Sequence, residues 1–260
     1  MGEENSPDGL RGTHALITGG GTGIGAAIAT RLSESGAHIT VTGRRPEPLE
    51  KVADRLRRAY AVPFDVTDEA AIKDGVSAAV ERLGPVDILI NNAGVAGSSP
   101  FGHITLDAWR TMLEANLTSV YLMSRAVLPG MVERNWGRIV SVASTAGLKG
   151  YAYVAAYCAA KHGVIGMTRA LALEVAQKGV TANAVCPGYT ETELLAESVA
   201  NITDKTGASE DEARAQLLQS NPQGRFVSPE EVAEAAAWLV GPNAGAITGQ
   251  AIAIAGGEVM

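Results

Sequence analysis

Cysteine is scarce in this chain of 260 residues: there are two, Cys158 and Cys186, and only four histidines lie scattered among the rest. No metal-ligand spacing connects them, which argues against a zinc site of the Cys/His type. The two thiols read as buried residues of a protein in a reducing compartment. Aromatic residues are also few, 5% of the chain against 46% hydrophobic overall, so a core must be built from Ala, Val, Ile and Leu. Basic runs are missing. Nothing is longer than the pairs Arg44-Arg45 and Arg57-Arg58, and the net charge is -7, which removes the electrostatic footprint of a nucleic-acid binder. No apolar stretch approaches a membrane span, and the opening MGEENSPDGLRG is polar and acidic where a secretory signal needs a basic and then an apolar run. The expectation is a cytoplasmic protein without nucleic-acid or membrane partners, residues 1–11 forming a polar leader and 12–260 one domain.

Short β-rich runs alternate with longer stretches of helical periodicity. HALIT (14–18) is followed by a helix over 23–35 and by HITVT (38–42); AVPFDV (61–66), VDILINN (86–92), GRIVSVAS (137–144), VTANAVCP (180–187) and AIAIAGG (251–257) complete seven candidate strands. Such alternation predicts a single α/β domain, a Rossmann-type doubly wound sheet of about seven parallel strands flanked by helices. Near-continuous apolar runs such as ILI and RIVSV suit strands covered on both faces. From 191 to 225 the chain turns polar and charged without a strand, which suggests a surface excursion or substrate lid at about 189–225.

Between the first strand and first helix lies ITGGGTGIGAA, with glycine at 19, 20, 21, 23 and 25. Glycine there allows positive φ and lets backbone N–H groups approach a pyrophosphate, whose charge the following helix N-terminus also favours. A tight β-to-α turn would use glycine too; the position inside a first βαβ unit points to a dinucleotide. The carboxylate that would meet an NAD ribose belongs at the end of the second strand. That end reads VTGRRPE, with Gly43 in place of the acid and Arg44 and Arg45 after it. A guanidinium there can hold a 2′-phosphate, so NADP(H) is favoured and NAD(H) is the alternative; two merely solvated arginines, or Glu47 acting as the acid, are the rival readings.

Three of six tyrosines, Tyr151, Tyr153 and Tyr157, fall in GYAYVAAYCAAK, but only Tyr157 has a lysine four residues on, Lys161. On a helix the two side chains share a face, and an ammonium beside a phenol lowers its pKa toward neutrality, making an acid/base group. The pair also arises by chance on exposed helices.

Taken together, TGGGTGIG (Thr18 to Gly25), Asp65 in FDV, NNAG (91–94), Asn116 in EANLTSVY, Ser144 in SVAST, YCAAK and PG followed by Thr190 resemble the short-chain dehydrogenase/reductase family in its classical subdivision, from about Gly12 to Gly257. The resemblance implies hydride transfer between a nicotinamide and a ketone or secondary alcohol. It implies a catalytic set of Asn116, Ser144, Tyr157 and Lys161. Ser144 would hydrogen-bond the substrate oxygen, Tyr157 deliver or remove its proton, Lys161 lower the phenol pKa and bind the nicotinamide ribose, and Asn116 hold a relay water. Cofactor contacts are implied at Gly19, Gly21, Thr22, Gly23 and Ile24, at Arg44 and Arg45, and at Asp65 and Val66. Others are implied at Asn92, Ala93 and Gly94, at Tyr157 and Lys161, and at Pro187, Gly188 and Thr190. Gly21 departs from members favouring NADP(H), where that position is often larger or basic, which leaves the preference resting on the arginine pair.

The chain is similar to 3-oxoacyl-thioester reductases, 3-hydroxybutyrate dehydrogenases and polyketide ketoreductases, so a 3-oxoacyl or 3-hydroxyacyl thioester is the leading substrate class, with a non-thioester alcohol as the alternative. Members are commonly tetramers, through helices around 105–134 and 152–178, and a homotetramer is expected on that ground. An inactive cofactor-binding regulator would be expected to lack one of Ser144, Tyr157 and Lys161, and a scaffold would have little use for both the glycine loop and these residues.

Overall fold

The computed structural model describes residues 9–260; most of the expected leader, residues 1–8, lies outside them. Seven parallel strands form one sheet in the order β3-β2-β1-β4-β5-β6-β7: β1 His14–Thr18, β2 His38–Thr42, β3 Ala59–Ala61, β4 Ile88–Asn91, β5 Gly137–Val142, β6 Val180–Pro187 and β7 Ala251–Ile254. The order reverses between β1 and β4, and in an open α/β sheet a ligand crevice opens beyond the carboxyl ends of the strands at such a reversal. β4, β5 and β6 are buried along their whole lengths, as strands covered on both faces must be.

Each face has its own apolar layer. On one, α1 Gly23–Glu34, α2 Pro46–Ala53 and α9 Pro229–Val240 bring Ile28, Leu32, Leu49, Val232 and Leu239 against Ile17, Val41 and Ile90. On the other, α3 Glu69–Leu83, α5 Ser119–Glu133 and α6 Ala155–Val175 bring Ile72, Met123, Met131 and Val175 against Leu16, Leu89 and Ile139. A helix N-terminus leaves unpaired N–H groups, and side chains supply the partners where the sequence offers them. Asp68 accepts from Ala70 and Ala71 at the start of α3. Ser228 and Glu231 form a reciprocal capping box at the start of α9, with Pro229 in its first turn.

The third strand differs from the sequence reading. The regular ladder covers 59–61 rather than 61–66; Pro63 falls between the two residues that bond to β2, on the open side of this edge strand, where a proline costs no ladder bond. Val62 and Phe64 still donate to Val41 and Gly43 at 3.0 and 3.1 Å, so Asp65 and Val66 are delivered to the sheet's carboxyl edge on a loop instead of a strand end.

The excursion after β6 contains α7 Glu193–Thr206 and α8 Glu210–Leu218. It is less purely a surface feature than its polarity suggests, since Leu195, Val199, Ala213 and Phe226 pack into a small core of their own. Between α4 Leu106–Leu113 and α5 the helix widens into a π-type turn over Glu114–Thr118. Among the described residues no helix is long and apolar enough to cross a membrane.

Candidate active site

A cleft of about 1610 Å³ runs along the carboxyl edge of the sheet, and every residue that the sequence proposes for cofactor or catalysis lines it. Its first wall is the glycine loop. Gly19 has φ +62, and a Cβ there would lie 2.9 Å from Asn92 Nδ2 and 3.0 Å from Ala93 Cα, so both conformation and close approach require glycine. Gly23 has φ +52, and Thr22 and Ile24 flank it at the start of α1. Gly21 abuts α2: a Cβ there would sit 3.1 Å from Pro48 Cβ and 3.2 Å from the Leu49 nitrogen. Pro48 and Leu49 thus fill the space in which a basic side chain at position 21 would begin.

The loop is held by Thr18, a residue to which motif and spacing assign no separate role. Thr18 is buried, and its hydroxyl accepts from the Asn92 and Ala93 backbone nitrogens, each at 2.9 Å. Asn92 Nδ2 in turn donates to the carbonyls of Thr18 and Gly19, both at 3.0 Å. Asn92 therefore clamps the glycine loop to the end of β4, beyond merely lining the cleft. One end of the cleft is lined by Arg44, Arg45, Asp65 and Val66. Arg45 Nη2 donates to Glu193 of α7 at 3.2 Å. The Asp65 carboxylate accepts from the Thr67 backbone at 2.9 Å and its hydroxyl at 2.8 Å. The backbone bond is the main reason its pKa lies below the usual carboxylate range, with the charge of Arg44 adding to it.

The other end holds Asn116, Ser144, Tyr157 and Lys161. Ser144 lies two residues beyond the end of β5 and caps the short turn 145–147, accepting from Ala146 N at 3.1 Å. Tyr157, on the first turns of α6, lines the same end of the cleft as Ser144, whose side chain acts to favour the phenolate. Lys161, one turn later, is buried and donates to the Val142 carbonyl at 2.8 Å, its ammonium lying 5.6 Å from the centre of the Tyr157 ring. The spacing of four residues thus does place both groups on one face.

The expected lowering of the phenol pKa is not found. Burial pushes Tyr157 up to about 12, against the opposing effect of the Ser144 side chain. The physical reason is that Lys161 is spent on a backbone carbonyl and is itself drawn down to about 8 by burial. At neutral pH the pair is therefore a protonated phenol beside an ammonium.

Asn116 lies in the π-type turn and is fully buried. Its amide donates to the carbonyls of Val95 and Met112, each at 3.0 Å, and its oxygen accepts from Val95 N at 3.2 Å. Gly94 fits between it and the lysine: a Cβ there would lie 2.6 Å from Asn116 Oδ1 and 3.8 Å from Lys161 Nζ. Pro187 ends β6, and Gly188 and Thr190 follow it along the cleft wall. Tyr151 and Tyr153 both line the same cleft, Tyr153 at φ 68 in the left-handed region. Tyr189 is a further phenol of this wall that the sequence reading did not single out; an aromatic directly after the Pro-Gly corner was its only signal. Lys149 pairs with Glu258 at 3.3 Å.

A crevice at the strand-order reversal, a glycine loop opening the first helix, and a Ser-Tyr-Lys set at the far end define a dinucleotide-binding fold with an acid/base centre. Comparison with known proteins agrees. The family model "short chain dehydrogenase" matches residues 13–203. A putative ketoacyl reductase of Streptomyces coelicolor is 43% identical over 249 residues, covering 94% of this chain and 95% of that protein. A 3-oxoacyl-(acyl-carrier-protein) reductase of Vibrio cholerae is 39% identical over 252 residues, covering 96% of this chain and 99% of the relative. A crystal structure of an actinorhodin polyketide ketoreductase variant with NADPH superposes with a TM-score of 0.91 at 42% identity, covering 95% of this chain and 97% of that one. The chain belongs to the short-chain dehydrogenase family.

Proposed function

We propose that this protein is an NADP(H)-dependent oxidoreductase that interconverts a ketone and a secondary alcohol, with a 3-oxoacyl or 3-hydroxyacyl thioester as its substrate class. The observation that carries the reading is the convergence of Ser144 and Tyr157, with Lys161 on the same helix face, at one end of a cleft whose other end presents Arg44 and Arg45. The residues fit the cofactor: close approach of backbone at Gly19 leaves N–H groups to meet a pyrophosphate, and the Arg44 guanidinium, with Arg45 beside it in a pair with Glu193, suits a 2′-phosphate. When bound, the nicotinamide supplies the hydride.

The rest is work for the chain's own side chains. Ser144 and Tyr157 converge on one substrate oxygen. Ser144 donates a hydrogen bond to it, and Tyr157, protonated at neutral pH, gives it a proton as negative charge develops there. The Lys161 ammonium favours the phenolate that results and is fixed by Val142. Asn116, tied to Val95 and Met112, keeps the floor beneath the lysine in place. In the reverse direction the phenolate accepts the alcohol proton.

The names of relatives support the substrate class, since the Streptomyces coelicolor and Vibrio cholerae proteins are both called reductases of ketoacyl or oxoacyl groups. We assign α7 and α8 the part of a lid over the substrate end. Exposed Tyr121 and Leu173 on α5 and α6 suit the helix faces that a homotetramer would cover. The test is oxidation of NADPH, followed by absorbance, with a panel of 3-oxoacyl thioesters, free 3-oxo acids and cyclic ketones. Turnover favouring the thioesters is expected; turnover confined to the other ketones would move the substrate class, and none with any ketone would overturn the reading.

A further inference from the structure

The chain ends AIAIAGGEVM, an apolar strand and two glycines followed by a single acid, Glu258. Its side chain is only 1% exposed. The chain reaches this position through Gly256 and Gly257 at φ 59 and 90, a backbone path that glycine alone follows without strain. A buried carboxylate is costly unless it is paired and hydrogen-bonded. Here the partners, Lys149 and Tyr151, come from the segment between β5 and α6. Lys149 Nζ lies 3.3 Å from Glu258 Oε1 and also donates to the Glu258 carbonyl at 3.3 Å. The Tyr151 hydroxyl is 2.5 Å from the same carboxylate oxygen and 2.7 Å from Thr145 Oγ1. With one proton to give, the phenol donates to the carboxylate and accepts from the threonine hydroxyl. Its ring lies 4.9 Å below the Lys149 ammonium, an arrangement that attracts cation to ring face. The other carboxylate oxygen packs close to Gly188, where a Cβ would come within 3.0 Å of it.

Tyr151 is thus held at its hydroxyl from two sides and over its ring from a third. It lines the cleft together with Ser144, Tyr157 and Tyr189, whereas Glu258 and Lys149 do not. Glu258 therefore acts on a substrate through Tyr151, its hydrogen-bonded partner on the cleft wall. Resting on the reductase reading above, we propose that Glu258 is a positioning residue which fixes Tyr151 as a rigid wall beside the reacting carbonyl, so that the pocket accepts a compact substituent there and rejects a bulky one. A free tyrosine at this place could swing aside for either; a tethered one cannot.

The experiment compares kcat/KM for two ketones of one thioester series, 3-oxobutanoyl and 3-oxo-3-phenylpropanoyl, with NADPH, in the unaltered chain and in Glu258→Ala, Glu258→Gln and Tyr151→Phe. The preference for the compact ketone should fall about tenfold in Glu258→Ala and Tyr151→Phe, the scale at which a pocket wall discriminates. The change should be carried by KM rather than kcat, and the double variant should fall no further than either alone, because the two residues act as one unit. Tyr151→Phe, which keeps side-chain volume, carries the test if the alanine variant does not fold, and Glu258→Gln, whose amide oxygen still accepts from the phenol, should keep most of the preference. Unaltered preference in Glu258→Ala and Tyr151→Phe, or shifts that add in the variant carrying both, would overturn this inference while leaving the reductase reading intact. No turnover of either ketone by the unaltered chain would overturn both.

Discussion

Replacing Thr18 with valine keeps the shape of a buried side chain and removes its hydroxyl. That hydroxyl accepts from two backbone nitrogens, Asn92 and Ala93, each at 2.9 Å, and these hydrogen bonds join β1 to the loop after β4. Valine leaves both N–H groups without that partner. A net loss of about 1 kcal/mol for each, at the modest end because Asn92 and Ala93 are only half-buried, gives about 2 kcal/mol. For a chain of this size that lowers the melting temperature by about 4–8 °C. The same loss should loosen Asn92 from Gly19 and weaken NADPH binding, because both strands of the clamp line the cleft. Differential scanning calorimetry with and without NADPH, beside a fluorescence titration, measures both effects. Thr18→Ser, which keeps the hydroxyl, should bind NADPH nearly as the unaltered chain does. A valine variant with unchanged melting temperature and unchanged NADPH affinity would refute the view that this hydroxyl holds the two loops together.

Three further outcomes follow from the same geometry. Arg44→Asp should lower the ratio of kcat/KM for NADPH over NADH by about ten- to a hundredfold, the scale of a charge-assisted hydrogen bond lost; retained NADPH preference would contradict the role given to the arginine pair. Ketone reduction should fall as pH rises through about 8, because Lys161, drawn down to that value by burial, loses its ammonium there while Tyr157, held up at about 12, stays protonated. In Lys161→Arg any remaining activity should lose that alkaline limb, since a guanidinium stays charged, and a profile for the unaltered chain flat to about pH 10 would contradict the assignment. Gly94→Ala should depress kcat, because its Cβ would sit 2.6 Å from Asn116 Oδ1 and force that side chain off its backbone partners; unchanged kcat would show that Asn116 does not hold the floor of the site.

Much of this site was legible from local spacing. A glycine loop between a strand and a helix, and a tyrosine and lysine four apart on one helix, are short-range patterns whose geometry the backbone repeat dictates. The seven parallel strands followed from alternating periods, and the third was misplaced only in its bounds, the regular ladder ending at Ala61. What could not be read depends on distant parts of the chain. The hydroxyl of Thr18 meets nitrogens 74 and 75 positions away, and Glu258 meets Tyr151 at a separation of 107. No period or motif marks such meetings. The phenol pKa was misjudged because spacing reports that Lys161 is near Tyr157 but not that its proton goes to Val142 or that both groups are deeply enclosed.

The central claim is that the Tyr157 hydroxyl delivers the proton to the substrate oxygen. It is tested most directly by single-turnover reduction of a 3-oxoacyl thioester by Tyr157→Phe saturated with NADPH. Phenylalanine keeps the ring against α6 and removes only the proton donor, so NADPH affinity should hold within about twofold while the rate falls by about 10²–10⁴. A phenylalanine variant that reduces the ketone at the unaltered rate would contradict the account.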